Sequence, residues 1–307
     1  MTSTPKGVLL LAFGGADSIE SVEPFVKNVL KGRPVTPELI EKTKERYKLI
    51  GGKSPLLGLT IEQGKAIEKL MNKDGGNYKV YVGMRYWHPF IKETLSQMKA
   101  DGIKEAVAAI MAPFTSLVAT GGYEKDVESA LAELDGEPKV EFIPRWNMKP
   151  LFLDAVAEKL AEQLKYFDDP NDALVIFSNH SLPLGALEGD PYEMIINQSA
   201  NEIAKKFGKL DYKVSYQSRG AGPREWLGPQ TEDIIQQAKK KGKKGVIIVP
   251  LGFVADHVET LYDIDILFKG MAEQQGLEFR RTASLNDSPK LMELMADLLV
   301  KLAEKRQ

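Results

Sequence analysis

Short apolar runs that alternate with long helical patterns constrain the fold of this chain more than any other feature of its sequence. The clearest runs, rich in β-branched residues, are residues 7–14, 78–83, 106–112, 173–178, 212–216 and 245–250. Continuous apolar runs of this length are typical of strands that are buried on both faces of a parallel sheet. We therefore predict an α/β fold with parallel sheets.

The six runs fall into two sets of three that share an internal order. In each set the first run leads into a polar turn, the second begins with Tyr-Lys-Val, and the third ends at a proline, Pro113 or Pro250. An internal duplication would produce this order, but two unrelated α/β halves would also resemble each other. The pattern predicts two doubly wound lobes with a ligand cleft at the carboxyl ends of their strands.

The boundary between the lobes is predicted near residue 150, after the proline-bounded stretch 144–150. This gives an N-terminal domain at 1–150 and a C-terminal domain at 151–307. Ser288 and Pro289 form a helix start, and leucines at helical spacing follow them. We expect this last helix to pack back on the fold.

Composition excludes several classes of function. The 307 residues carry a net charge of −2, which speaks against a broadly basic nucleic-acid surface. The chain has no cysteine, so thiolate metal sites, disulfides and cysteine-ligated iron–sulfur clusters are excluded. No stretch reaches the roughly 20 apolar residues of a membrane span, and the N-terminus lacks a signal-peptide pattern. We expect a cytoplasmic monomer without a nucleic-acid partner.

His180 is the first candidate for chemistry. It follows a predicted strand within Ser178-Asn-His-Ser-Leu-Pro183, at the carboxyl edge where α/β sheets place their ligands. An imidazole titrates near neutral pH and also binds borderline divalent metals. The position therefore suits either acid–base work or metal contact.

The stretch from Pro250 to Asp265 holds the second candidate group. Asp256 and Glu259 have the spacing of a capping box, which would explain both carboxylates without any catalytic role. Glu259 and Asp263 are four residues apart and would form an acidic stripe on one helix face. Because like charges repel at this spacing, the stripe is either solvated or offset by a cation.

Several motifs together resemble ferrochelatase. They are Ser178-Asn-His-Ser-Leu-Pro183, Gly189-Asp-Pro-Tyr192, Tyr216-Gln-Ser218, Trp226-Leu-Gly-Pro229 and Gly252-Phe-Val-Ala-Asp-His-Val-Glu-Thr-Leu-Tyr262, with Ile50-Gly-Gly-Lys-Ser-Pro55 and Arg85-Tyr-Trp-His-Pro89 in the N-terminal half. Each motif alone is weak, but the set occurs in the family's order and covers essentially the whole chain.

The resemblance implies a lyase that inserts ferrous iron into a porphyrin in haem synthesis, in a cleft between two Rossmann-like lobes of chelatase type. It implies that His180 and Glu259 are catalytic, and that His180, Glu259 and Asp263 contact the metal. Where many members continue the acidic stripe, this chain has Leu267. Iron and porphyrin are substrates in this reading, and no tightly bound cofactor is expected.

The resemblance also suggests residues that bind or support the porphyrin. Predicted substrate contacts are Phe13, Arg33, Arg46, Ser54, Tyr123 and Trp226. Predicted supporting residues are His88, His257, Tyr192 and Gln217. The arginines, with Ser54 and Tyr123, could satisfy the four propionates of coproporphyrin III.

The identity of the porphyrin stays open between two compounds. The short, charged lip at residues 29–37 favours coproporphyrin III, because the membrane-associated members have a longer apolar lip. Phe13 favours protoporphyrin IX, since many coproporphyrin-using members have tyrosine there, and Leu30 stands where an arginine is expected. We favour coproporphyrin III.

Two other functions remain as alternatives. The first alternative is a chelatase for cobalt or nickel, because a histidine–carboxylate pair discriminates weakly among divalent metals. The other is a two-lobed protein that binds haem or metal without catalysis.

Overall fold

The computed structural model describes residues 4–220 and 224–305. The first half contains β1 (Lys6–Ala12), α1 (Val22–Leu30), α2 (Pro37–Leu49), α3 (Leu56–Met71), β2 (Tyr78–Met84), α4 (Ile91–Ala100), β3 (Glu105–Ile110), α5 (Gly121–Ala132) and β4 (Lys139–Phe142). The second half contains α6 (Pro150–Leu164), β5 (Ala173–His180), α7 (Tyr192–Lys205), β6 (Tyr212–Gln217), α8 (Thr231–Lys240), β7 (Gly245–Val249), a π-helix (Glu259–Phe268), α9 (Lys269–Gln274), β8 (Glu278–Arg281) and α10 (Pro289–Glu304), with short 3₁₀ turns at Pro170–Asp172 and Leu184–Ala186.

The strands form two parallel four-stranded sheets with matching strand orders, β2-β1-β3-β4 and β6-β5-β7-β8. All six predicted runs are strands, so the predicted α/β class and parallel sheets are confirmed. The short strands β4 and β8, which were not predicted, lie at the sheet edges. The two sheets therefore repeat one topology.

The chain divides into two compact units, each built on one of the sheets. The first comprises residues 1–112, 119–145 and 286–307, and the second comprises residues 113–118 and 146–285. This division differs from the predicted domains 1–150 and 151–307, because helix α10 packs against α3 and β3 and so belongs with the first unit. Residues 113–118 belong with the second unit.

The core of the first unit lies around its central strand β1, whose residues Val8 to Leu11 are fully buried. Leu9 and Leu11 pack with Leu95 and Met98 of α4 and with Val127 of α5. An apolar strand that is covered on both faces cannot present polar side chains along its length. Polar groups are therefore placed beyond the strand ends.

The second unit is built in the same way around β5. Leu174 and Ile176 of this strand pack with α8, with β7, and with Ile264 and Phe268 of the π-helix. The π-helix is thereby anchored on the sheet through its buried apolar side chains. Across the described ranges 4–220 and 224–305, no helix has the length and hydropathy to span a membrane.

Candidate active site

His180 is the last residue of β5, which lies between β6 and β7 in the second sheet. Its Nδ1 lies 2.5 Å from the carbonyl oxygen of Ser181. Because a carbonyl oxygen can only accept a hydrogen bond, Nδ1 carries the proton in the neutral ring and Nε2 keeps its lone pair. The His180 side chain is 37% exposed, so part of the ring is accessible to a substrate.

Neighbouring groups fix the backbone at His180. The hydroxyl of Tyr192, the first residue of α7, donates to the carbonyl oxygen of His180 at 3.0 Å. Burial raises the pKa of Tyr192 far above its usual value, so the hydroxyl stays a donor at neutral pH. On the other side, the Ser181 amide donates to the Gln217 carbonyl oxygen at 2.8 Å. Tyr192 and Gln217, both expected to support the site, therefore contact the strand end that carries the histidine.

Glu259 is the first residue of the π-helix, and its Oε1 lies 3.6 Å from Nε2 of His180. Its Oε2 is buried and has no hydrogen-bond partner among the described residues. Its backbone carbonyl accepts from Nε2 of Gln217 at 3.2 Å, and Oε1 of Gln217 accepts from the Ser178 hydroxyl at 2.5 Å. Gln217 thus links the end of the histidine strand to the start of the π-helix.

The capping-box interpretation of Asp256 and Glu259 is wrong. The π-helix begins after Val258 without a side-chain cap, and the Glu259 carboxylate lies towards His180. Oδ1 of Asp256 instead accepts from the hydroxyl of Thr260 at 3.1 Å. Glu259 therefore has no local structural role that would explain its position.

Two acceptors face each other in this pair. The neutral imidazole presents a lone pair at Nε2, and an ionised carboxylate only accepts hydrogen bonds. Their separation of 3.6 Å is too long for a direct hydrogen bond. A proton or a divalent cation bound to either group would remove the repulsion between the two lone pairs. The arrangement can therefore accept protons or hold a borderline metal weakly.

Asp263 does not join this pair in a single metal cluster. Its side chain is buried, at 4% exposed, and Oδ2 accepts from the Ser218 hydroxyl at 2.7 Å. Ser218 follows β6 with a φ of 59°, an unusual conformation for a residue other than glycine. In residues 4–220 and 224–305, no group of three or more His, Cys, Asp or Glu side chains is arranged to hold a metal ion. The alternative of a solvated acidic stripe is also wrong, because Asp263 is buried.

His257 lies two residues before the π-helix. Its Nδ1 lies 3.1 Å from the Ala255 carbonyl oxygen, and its ring packs on Phe253. Burial lowers the pKa of His257, and the nearby Glu259 carboxylate partly opposes that shift. The ring is therefore neutral at pH 7, with Nδ1 as the donor.

Trp226 lies beside the segment that follows His180. It forms an antiparallel bridge with Pro183, and the next residue, Leu227, donates its amide to the Leu182 carbonyl oxygen at 2.9 Å. The indole packs so closely on Gly220 that a Cβ there would lie 2.5 Å from the ring. Trp226 is thus held against the chain that leaves β5.

The remaining predicted substrate contacts lie in the first unit. Phe13 directly follows β1, is 40% exposed, and packs on the ring of Tyr86. Arg33 is exposed and donates from Nε to the Leu30 carbonyl oxygen at 3.2 Å. Arg46 is partly exposed on α2. These three residues have side-chain surface available for a ligand.

Two other residues of this unit have structural partners. The Ser54 amide donates to the Ala16 carbonyl oxygen at 2.8 Å, which ties the loop after α2 to the loop after β1. Tyr123 is 6% exposed in the core, with the Arg85 guanidinium over its ring. This burial gives no support to the predicted contact of Tyr123 with a propionate.

His88, also in the first unit, is a surface residue. Its Nδ1 lies 2.9 Å from Oε2 of Glu93, which also accepts from the backbone amide of Phe90 at 2.7 Å. His88 therefore stabilises the start of α4.

The fold is that of chelatases. The structure of SirB from Bacillus subtilis with Fe3+ matches with a TM-score of 0.61 at 8% identity, covering 99% of this chain and 98% of that one. The structure of CbiX, an enzyme of sirohaem biosynthesis, matches with a TM-score of 0.55 at 12% identity, covering 97% and 99%. These likenesses define the class by architecture alone.

The sequence comparisons identify the family. The ferrochelatase family model matches residues 5–302. A ferrochelatase of Herpetosiphon aurantiacus is 38% identical over 95% of this chain and 97% of its own length. A coproporphyrin III ferrochelatase of Geobacillus sp. is 36% identical over 98% of this chain and 99% of its own. The chain belongs to the ferrochelatase family, a family of metal chelatases in the lyase class.

Proposed function

We propose that this protein inserts ferrous iron into a porphyrin and that His180 and Glu259 are its catalytic pair. One observation carries the proposal. Two hydrogen-bond acceptors, Nε2 of His180 and Oε1 of Glu259, lie opposite each other at a distance of 3.6 Å. Membership of the ferrochelatase family supplies the reaction, and this pair supplies the groups that the reaction needs.

The reaction is a proton-for-metal exchange without a redox step. Two pyrrole N–H bonds break, their protons go to basic groups or water, and the porphyrin nitrogens bind iron that stays ferrous. His180 and Glu259 each present a free acceptor for such protons. Nitrogen and oxygen ligands also bind ferrous iron more weakly than thiolates do, so the metal can be handed on. One pair therefore serves both as weak metal ligand and as proton acceptor.

Asp263 has a secondary part in this proposal. It follows Glu259 by one helical turn, and its buried carboxylate is oriented by the Ser218 hydroxyl. A buried carboxylate four residues along the π-helix from Glu259 attracts a cation electrostatically without completing a closed ligand set. We propose that it favours delivery of the metal to His180 and Glu259 rather than tight binding.

We propose coproporphyrin III as the porphyrin. Support comes from the coproporphyrin III ferrochelatase relative, which matches nearly the whole chain, and from two arginines of the first unit, Arg33, which is exposed, and Arg46, which is partly exposed. Guanidinium groups suit the recognition of carboxylates such as propionates. Phe13 favours the alternative, protoporphyrin IX, since it has no hydroxyl for a metal.

Anaerobic turnover with ferrous iron tests both the proposed reaction and the proposed porphyrin. We expect many turnovers per chain, followed by porphyrin absorbance, whereas a carrier would stop at one equivalent. We also expect a higher kcat/KM for coproporphyrin III than for protoporphyrin IX. The reverse order would overturn the choice of porphyrin, and turnover with cobalt or nickel alone would overturn the choice of metal.

A further inference from the structure

Arg281, the last residue of β8, bridges two parts of the segment that carries Glu259. Its Nε and Nη2 donate to the two carboxylate oxygens of Asp265 at 2.6 and 2.9 Å. Its Nη1 donates to Oδ1 of Asp256 at 3.0 Å. One guanidinium therefore joins a residue that precedes the π-helix to a residue in its middle.

The bridge is largely removed from solvent. The side chains of Arg281, Asp256 and Asp265 are 15%, 18% and 33% exposed. Burial raises the pKa of Asp265, and the bond from Arg281 partly offsets that shift. Two partly buried carboxylates that share a guanidinium are destabilised when it is lost, because removing one partner of a buried ion pair is costly.

The bridge brackets Glu259. Asp256 lies three residues before Glu259 and Asp265 lies six residues after it. Asp256 also accepts from the hydroxyl of Ser284 at 2.7 Å and from that of Thr260, the neighbour of Glu259, at 3.1 Å. The chain on both sides of Glu259 is thus bonded to the end of β8 and to the loop that follows it.

A π-helix needs such external support more than an α-helix does. Its i→i+5 hydrogen bonds are rare in proteins and usually occur as single turns at functional sites, whereas this one covers Glu259–Phe268. Ile264 and Phe268 hold the apolar side of the π-helix on the sheet. Arg281 contacts its polar side.

We infer that Arg281 is a positioning residue for Glu259: by clamping Asp256 and Asp265 it keeps the π-helix in the register that sets the Glu259 carboxylate opposite His180. This inference rests on the proposed roles of His180 and Glu259. Arg281 acts through the helix, since its guanidinium bonds Asp256, Asp265, Thr282 and Ser284.

The test uses Arg281→Lys, which keeps the positive charge. A lysine cannot form the bidentate bond to Asp265 and bond Asp256 at the same time. The matched control is Arg280→Lys. Arg280 is the preceding residue on β8, bonds Glu278 at 2.7 Å, and stacks on Tyr166. Both variants are assayed well below their melting temperatures, with ferrous iron and porphyrin varied separately.

We expect Arg281→Lys to lower kcat about 10- to 100-fold, since misplacing a catalytic group by about 1 Å has effects of this order. The KM for porphyrin should stay within about twofold and Arg280→Lys should match the wild type. A wild-type chain without turnover would refute the proposed function. Normal kcat in Arg281→Lys, with an active wild type, would refute only the inference about Arg281.

A double variant separates positioning from general stability. If Arg281 acts through Glu259, then Arg281→Lys should have no further effect on turnover once Glu259→Gln is present. Where turnover is undetectable, the dissociation constant for Co2+ gives a second readout, measured by calorimetry on the wild type, the two single variants and the double variant. We expect Arg281→Lys to raise this constant at least about threefold when residue 259 is glutamate, and less than about 1.5-fold when it is glutamine. Equal effects in both backgrounds would refute the inference.

Discussion

Nε2 of His180 and Oε1 of Glu259 lie 3.6 Å apart, and both are acceptors when the histidine is neutral. The Ser181 carbonyl oxygen accepts the hydrogen bond of Nδ1, so in the neutral ring the lone pair lies on Nε2, the atom nearest Glu259. The pair is therefore set for a proton or a cation that the chain itself does not supply. Under the proposed function, this geometry would make the histidine at the strand end and the glutamate at the helix start act together.

His180→Ala should abolish metal insertion and leave the fold and porphyrin binding intact. The side chain is 37% exposed and is not among the buried core residues, so we expect its loss to remove an acceptor more than stability. Steady-state turnover should fall to below about a tenth of the wild type, in keeping with the loss of a proton acceptor. Near-normal turnover in a folded His180→Ala chain would show that another group does this work.

Tyr192→Phe should lower stability and turnover together. The Tyr192 hydroxyl donates to the His180 carbonyl oxygen at 3.0 Å, and its loss leaves that oxygen without this donor. We expect a loss of about 1 kcal/mol in the free energy of unfolding and a several-fold fall in kcat. Urea unfolding and turnover assays measure the two effects. Tyr212→Phe is the control, because the Tyr212 hydroxyl has only a weak 3.5 Å contact at the surface. Equal behaviour of the two variants would contradict the positioning role of Tyr192.

Asp263→Ala should raise the KM for iron more than the KM for porphyrin. The physical reason is the loss of a buried carboxylate that attracts the cation in the ground state and the transition state alike. Ser218→Ala should have the same effect in weaker form, because its hydroxyl orients Asp263 at 2.7 Å. Titration of ferrous iron at saturating porphyrin measures this. An unchanged iron KM in Asp263→Ala would mean that iron reaches the pair by another route.

Asp101 provides a pH test of the first unit. Hydrogen bonds from Lys79, Tyr81 and Gln97 lower the pKa of Asp101 from 3.8 to about 2. A carboxyl with a lowered pKa stabilises the fold above its unfolded pKa and loses this effect as the pH falls towards the folded value. Asp101→Asn should thus be less stable than the wild type at pH 6, with a difference that shrinks below about pH 4. A difference that stays constant between pH 6 and pH 3 in urea unfolding would contradict these contacts.

Apolar patterning was sufficient to predict the strands that form the core. The inner strands β1, β3, β5 and β7 are largely buried and have continuous apolar runs, and the edge strands β2 and β6, although partly exposed, kept enough apolar residues to be predicted as well. The edge strands β4 and β8 span four residues each and are partly exposed, so their sequences carry little signal. Helix α10 was predicted from its leucine spacing, but that spacing does not say which sheet the helix covers.

The sequence was sufficient to choose candidate residues for the site by their type and position. It was not sufficient to predict the hydrogen bonds between them. His180 and Glu259 were found as polar residues beyond predicted strands. The bond between Ser218 and Asp263 joins residues 45 positions apart, and those from Arg281 reach back 16 and 25 positions, so sequence spacing could not reveal them. The π-helix was also missed, because its sequence has the apolar periodicity of an ordinary helix.

Steady-state iron insertion with Glu259→Gln tests whether Glu259 and His180 form the catalytic pair. This variant keeps the size of the side chain and removes its charge, and Glu193→Gln on the exposed start of α7 is the matched control. We predict a folded chain that binds porphyrin normally, with kcat lowered at least about 100-fold, and a control that matches the wild type. Turnover within about threefold of the wild type in Glu259→Gln would contradict the pairing of Glu259 with His180 as the catalytic centre.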